Sequence, residues 1–297
     1  MKATTKAHLA LLATNIFFAI NLSSIKFIVN EGFAKPFAIN IIRVGVTAAL
    51  LWILFIFKPV KKLVQKKDAG RLFLCALSGV AINQLLFVKG LSLTYSIHAS
   101  LLMLTTPILI IIISALVLRE RLTLLKLSGL AVGITGAVIL VTAKEQSGNG
   151  SQVVLGDFLI ISNAIAYTIY FVLVKPLMKS YDTTMIIRII FTIGFFLMLP
   201  FCWEEFTLIQ WNTFTPAAYL NMGLVVVTGT FLAYLLNVYG IKILGAAMAG
   251  TYIYSQPFFA AALAMIFLGE SLTFTKIIAA LFIFLGVYLS NRPAPAD

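Results

Sequence analysis

Ten apolar stretches follow one another along this chain, near 8–29, 37–57, 71–90, 97–118, 124–142, 156–175, 183–202, 216–238, 246–268 and 274–291, each bounded by charge or by Pro and Gly clusters. Roughly twenty consecutive apolar residues are what a helix needs to cross the hydrocarbon of a bilayer. Inside lipid every backbone amide must be satisfied within the segment, so each run predicts a helix. The first run follows Lys2 and Lys6 and continues to about Val29 without a small-x-small cleavage site, which predicts an uncleaved first span. The longest polar connections, 58–71 and 143–155, are too short to hold a folded domain.

Composition turns this pattern into a class. Of 297 residues, 61% are hydrophobic and 11% charged, against roughly 25% charged in a soluble domain. Such a chain has too little polar surface for water, so the expected fold class is all-α integral membrane with ten transmembrane helices. The net charge of +12 does not indicate nucleic acid, because basic residues of membrane proteins collect in cytoplasmic loops. With the N-terminus placed inside, Lys2, Lys6, Lys58, Lys61, Lys62, Lys66, Lys67, Arg71, Arg119, Arg121, Lys126, Lys175, Lys179, Lys242 and Arg292 all fall on the cytoplasmic side. Lys35, Lys89, Lys144 and Lys276 fall outside. This asymmetry predicts an inner (plasma) membrane protein with both termini cytoplasmic.

The chain also repeats itself. A shift of 150 residues aligns Pro107 with Pro257, Glu120 with Glu270, Leu122-Thr123 with Leu272-Thr273, Lys126 with Lys276 and Gly136 with Gly286. Upstream it aligns Gly79 with Gly229, Leu85-Leu86 with Leu235-Leu236, and Gly90 with Gly240. Near the start of each half the offset shrinks, so Lys26 pairs with Lys175 and Arg43 with Arg188. Each half, 1–143 and 144–297, holds five spans. Five is odd, so the second half enters the membrane from the opposite side, the inverted-repeat plan of secondary transporters.

Two stretches carry a family resemblance. Leu118-Arg-Glu-Arg-Leu-Thr-Leu-Leu-Lys126 with Gly136, and Leu268-Gly-Glu-Ser-Leu-Thr-Phe-Thr-Lys276 with Gly286, resemble the paired signature of the drug/metabolite transporter superfamily, EamA type. The resemblance covers nearly the whole chain, including the basic second-to-third-span loop and a Lys late in span 1. It implies a small-metabolite carrier with a central cavity. Many members carry Trp-Gly early in span 1. Here those positions read Phe18-Ala19, so no role of that pair transfers.

Candidate functional residues are the polar ones inside spans. Arg43 and Arg188 each sit about six residues inside a span, where an ionised side chain must face a cavity or a partner. Their functional reading is attraction of a carboxylate or phosphate; the plain one is snorkelling to headgroups. Lys26 is read the same two ways. Asn15 and Asn21 in span 1, Asn83 in span 3, Thr105 in span 4, Tyr167 and Tyr170 in span 6, Tyr234 and Asn237 in span 8, and Tyr252 and Gln256 in span 9 are candidate cargo contacts or helix–helix glue. Spans 5 and 10 are almost bare of such groups, which predicts a central cavity buttressed by 5 and 10. Pro107 and Pro257 are expected to kink spans 4 and 9, as hinges or as static bends. Glu120 and Glu270 are expected to be structural, beside Thr123 and Thr273 as N-caps. Gly129-x-x-x-Gly133 permits close helix packing and leaves monomer or homodimer open.

The acidic residues all fall in loops, tails or span edges, so a carboxylate proton relay is not expected; only His98 is eligible, near the outer end of span 4. Cys75 and Cys202 lie inside apolar runs, and no P-loop, metal-ligand cluster or nucleophile motif is present, so neither cofactor, metal nor enzymatic activity is expected. The sequence therefore predicts a secondary transporter exporting small zwitterionic or anionic metabolites, such as amino acids. The alternatives are uptake or exchange of a nucleotide-like or cofactor-like anion, and a non-transporting membrane scaffold. The expected partners are a small-molecule metabolite and the lipid bilayer.

Overall fold

The computed structural model describes residues 3–57, 64–106, 108–109, 124–142 and 150–290. Among them the chain is helical almost throughout and has no strand. The helices are α1 (Ala3–Asn30), α2 (Pro36–Phe57), α3 (Lys66–Leu93), α4 (Ser96–Met103), α5 (Leu124–Val141), α6 (Gly150–Ser180), α7 (Thr183–Thr207), α8 (216–253), α9 (Gln256–Leu268) and α10 (Phe274–Ser290). Six helices contain a stretch long and apolar enough to cross a membrane: α1, α2, α3, α6, α7 and α8. Large apolar side chains such as Ile56, Phe196, Phe201, Phe258, Phe267 and Leu281 face outward, as a lipid-solvated surface requires.

Sequence explains most of the boundaries. Asp182 caps α7 by accepting from the Met185 amide at 3.1 Å. Thr215 caps α8 by accepting from the Ala218 amide at 3.2 Å, with Pro216 in the first turn where its missing N–H costs nothing. Thr273 accepts from the Lys276 amide at 3.4 Å at the start of α10. Gly269, at φ 66°, ends α9 in the left-handed conformation that glycine adopts without strain.

Span 9 departs from expectation. The apolar pattern predicts a break over 239–245, yet α8 runs through that segment to Ile253 and the chain turns at Tyr254–Ser255. The single glycines Gly240 and Gly245 weaken a helix without ending it. Pro257 offers no N–H to the carbonyl four residues back and disfavours helix just before it. It therefore sits in the first turn of α9 and not in a bent continuous helix. In span 4, Leu104 and Thr105 form the corresponding turn; Pro107 itself lies outside the described residues, as do Glu120 and Thr123.

The same 150-residue offset governs other irregularities. α3 contains a π-helical segment at Leu77–Ile82 and α8 one at Leu224–Leu232, and the two end 150 residues apart. Gly79 of α3 lies against Tyr170 of α6, while Gly229 of α8 lies against Asn21 of α1. Gly90 meets Ile160, and Gly240 meets Leu11. The main helix pairs are α1 with α8, α3 with α6, α5 with α10, α2 with α7, α1 with α9, α3 with α7, α2 with α8 and α4 with α9, with smaller contacts of α2 with α3 and α4 with α6. Exchanging the first five helices for the last five maps every pair but α2–α3 onto the set.

The α5–α10 pair shows what the small residues do. A Cβ at Gly286 would collide with the backbone of Gly133, at 2.5 Å from its Cα, and one at Gly136 would lie 2.8 Å from the Ala279 carbonyl oxygen. The Gly129-x-x-x-Gly133 face is thus occupied by α10 of the same chain. Gly286→Leu forces backbone apart and is expected to cost about 1–3 kcal/mol or more. Gly223→Ala, where a Cβ meets open space, should stay within about 0.5 kcal/mol. Thermal unfolding of both variants in detergent checks this; equal melting temperatures would show that the glycine contact is not tight.

Candidate functional site

One face of α2 carries a polar stripe, Asn40, Arg43 and Thr47, at helical spacing. All three are buried, Arg43 to 3% exposure. Arg43 lies seven residues from the start of α2, about 10 Å along its axis. Its Nε donates to the Thr230 hydroxyl at 3.1 Å, and its guanidinium lies 5.8 Å from the centre of the Phe87 ring. Thr230 belongs to the π segment of α8, where the widened turn lets its hydroxyl donate to the Val225 carbonyl five residues back at 2.8 Å. π segments inside α-helices recur at functional positions.

Other groups converge here. Gln84 follows the π segment of α3; its backbone carbonyl accepts from Asn40 Nδ2 at 3.0 Å and its side chain lies near Tyr234. Tyr234 stands edge-on to Phe191, 5.1 Å between centroids, in the neighbourhood of Arg43 and Tyr167. Tyr167 and Tyr170 lie 5.8 Å apart. Asn21 touches Gly229, beside Thr230. Asn237 is half-buried, one turn beyond Tyr234.

The hydrogen bonding of this cluster is incomplete. Arg43 Nη1, Asn21 Oδ1, Asn40 Oδ1, Thr47 Oγ1, Gln84 Oε1 and Ser23 Oγ are buried without a partner within the protein. Such atoms are individually rare in folded proteins and costly. Arg188 Nε and Ser96 Oγ are unpartnered as well, but the other six such atoms among the described residues lie on α1, α2 and α3, where they suit a polar guest: a donor for an anionic oxygen, and acceptors for an ammonium or hydroxyl.

Several predicted residues lie elsewhere. Arg188 is stacked on α2 aromatics, its Cζ 3.7 Å from the Phe55 ring centre and 4.5 Å from that of Trp52, while Trp52 Nε1 donates to Thr192 at 3.0 Å. Lys26 is buried and electrostatically coupled to Glu270. Glu270 accepts from the Ser96 and Ile97 amides at 2.7 and 3.0 Å, capping α4 and not α10. Tyr252 hydrogen-bonds His8 Nδ1 at 2.8 Å. Asn15 donates to the Leu11 carbonyl at 2.8 Å and Thr105 to that of Leu102 at 2.6 Å, bonds local to their own stretch of chain. Gln256 is buried at the start of α9. Asn83 and Asn163 form a reciprocal clamp between α3 and α6, each side-chain amide donating to the other's backbone carbonyl at 3.3 and 2.8 Å.

Three contributors escaped the sequence reading. Thr230 and Thr47 are ordinary threonines in apolar runs, although the spacing of Asn40, Arg43 and Thr47 could have flagged the stripe. Asp157 was placed at a span edge, but α6 begins at Gly150, and its carboxylate is wholly buried against His98. At the end bearing the basic 58–71 loop, a cavity of about 220 Å³ opens between Lys67, Arg71 and Tyr181. There the Tyr181 hydroxyl donates to Asp68 at 2.7 Å, a bond that holds its proton above the usual phenol range.

The Asn83–Asn163 clamp yields a direct prediction. Alanine at either position should cost about 1 kcal/mol, typical of a polar contact inside a membrane bundle. The double variant should cost less than the two singles added, since either one breaks the shared contact. Thermal melts of the four proteins test the coupling, and strict additivity would count against it.

Comparison with known proteins follows from this geometry. Residues 5–142 and 154–292 each match the EamA-like transporter family. An uncharacterized transporter of Archaeoglobus fulgidus is 24% identical over 97% of this chain and 99% of its own. A probable terminal-alkyne amino-acid exporter of Streptantibioticus cattleyicolor is 27% identical over 39% of this chain and 37% of its own. A solved crystal structure, 17% identical, shares the fold with a TM-score of 0.60 over 97% of this chain and 96% of that one.

Proposed function

The chain belongs to the EamA-like transporter family, and on that footing we propose that it is a secondary carrier exporting small zwitterionic or anionic metabolites, amino acids and their derivatives foremost. The two halves, 1–143 and 144–297, act as inverted repeats that alternately open a central site to either side of the inner membrane. Both termini are cytoplasmic, and the chain carries out no catalysis. The paired π segments, the paired turns and the exchange-symmetric helix contacts support this division.

One observation carries the cargo assignment: Arg43 keeps an unpartnered Nη1 amid the orphaned oxygens of Asn21, Asn40, Thr47 and Gln84. A guanidinium donates to carboxylate in a planar, charge-assisted geometry, and an α-ammonium supplies donors for the amide and hydroxyl oxygens. Tyr167, Tyr170 and Tyr234 then flank the cargo's side chain. The distant relative named as an amino-acid exporter supports the same cargo class. A phosphate held jointly by Arg43, Arg188 and Lys26 has less support, since Arg188 is stacked on Trp52 and Phe55 while Lys26 lies near Glu270. A non-transporting scaffold gives no role to the orphaned atoms.

In proteoliposomes, Arg43→Ala should lower amino-acid exchange roughly 10- to 100-fold, the worth of one hydrogen bond to a charged group. The transported amino acid should raise the melting temperature of the wild-type protein and not of the variant. Undiminished exchange by Arg43→Ala would remove the guanidinium from the site.

A further inference from the structure

His98 and Asp157 are buried ionisable groups that the central site does not use. His98 stands in the first turn of α4 and Asp157 in the second turn of α6, both 0% exposed, with Nδ1 and Oδ2 2.9 Å apart. The Thr94 hydroxyl donates to the second carboxylate oxygen. α4 and α6 approach so closely here that a Cβ at Gly156 would lie 2.7 Å from the Thr94 backbone nitrogen. The pair is therefore the polar join between two helices at the end of the bundle opposite the basic 58–71 loop.

We propose that His98 and Asp157 form a proton-binding site that latches α4 to α6 on the outward side of the carrier. With one proton added to the imidazole, the pair is an imidazolium and a carboxylate of zero net charge, compatible with a dry contact. When one of the imidazolium's two N–H protons leaves to external water, the N–H that stays on the neutral ring and the Thr94 hydroxyl still donate to Asp157, but the cation is lost and the contact carries a single negative charge. A buried carboxylate without a cation is unfavourable, which favours separation of the helices and entry of water. Histidine is the side chain whose charge ordinarily changes between about pH 5 and 8.

The groups around the pair fit a latch that responds to one proton. The Tyr95 ring lies 5.5 Å from that of His98, with Lys276 of α10 over its face at 4.7 Å and bonded to the Ser271 carbonyl at 2.9 Å. Glu270, from the α9–α10 link, is held by the first amides of α4, in the neighbourhood of Lys26 of α1. These titratable and charged groups lie around the pair among the described residues. Lys276 and Lys26 bring two cations and Glu270 one anion to these surroundings, while the proton of His98 changes the charge inside the contact itself.

The meaning of the latch rests on the two-sided carrier proposed above, but its test needs no cargo, so the two fail separately. Hydrogen exchange of residues 94–104 is followed by mass spectrometry on the full-length protein in nanodiscs at about pH 5.5 and about pH 8, with labelling times scaled for the intrinsic rate. Wild type should lose protection as pH rises, by up to about tenfold per pH unit for a one-proton linkage. His98→Gln, which leaves the carboxylate without a cation, should be weakly protected at both values, and Asp157→Asn, which removes the charge that opens the contact, should lose the fall in protection at about pH 8, whereas His8→Gln, which alters the other histidine, should follow wild type. Equal wild-type protection at both pH values overturns the proposal, as does an Asp157→Asn profile that tracks wild type. Should neither pair variant fold, the wild-type slope and its retention in His8→Gln decide.

Discussion

The dominant constraint on this structure is that a bilayer offers no water to a polar group, so each must find its partner inside the protein. Most do so locally: Asn15, Thr14, Ser78 and Thr168 bond carbonyls one turn back. Others join helices, as Asn83 with Asn163 and Glu205 with the Phe37 and Ala38 amides. Against that thrift, the cluster around Arg43 stands apart. Its unpaired atoms come from three helices of the first half, while Thr230 and Tyr234 of the second half close over them. An arrangement so costly in lipid is the physical ground for the binding site proposed at the centre.

The backbone is irregular where that site needs it. The π segments of α3 and α8 flank the centre and present Gln84 and Thr230 to it. The turns at Leu104–Thr105 and Tyr254–Ser255 interrupt spans 4 and 9. By contrast α5 and α10 are regular, poor in polar groups and sealed to each other through Gly133, Gly136 and Gly286. Plain packing on one side and interrupted helices on the other is how a rigid frame can hold a centre that rearranges.

Sequence made the apolar segments, their number and the 150-residue register legible, because hydrophobic length and the chemistry of Pro, Gly and Glu act locally. It also singled out Arg43, since a charge inside an apolar run must be accounted for. It could not separate Arg43 from Arg188. Their settings along the chain look alike, and only the meeting of α2 with α7 gives Arg188 an aromatic bed at Trp52 and Phe55. Asp157 was misjudged for a related reason: helix α6 starts two turns before the apolar run does, and its partner His98 lies on another helix. Glu270 has the structural role expected of it, but the helix that it caps lies far away in sequence. Tertiary partners of polar residues are what a one-dimensional pattern omits.

The central claim is that the unpaired atoms around Arg43 are completed by cargo. The most direct measurement is an experimental structure of the protein in a lipid nanodisc with a transported amino acid bound. The account predicts density for its carboxylate within hydrogen-bonding distance of Arg43 Nη1, with its ammonium facing the oxygens of Asn21, Asn40 or Gln84. Cargo density at any other place, with the Arg43 cluster still closed upon itself, would contradict it.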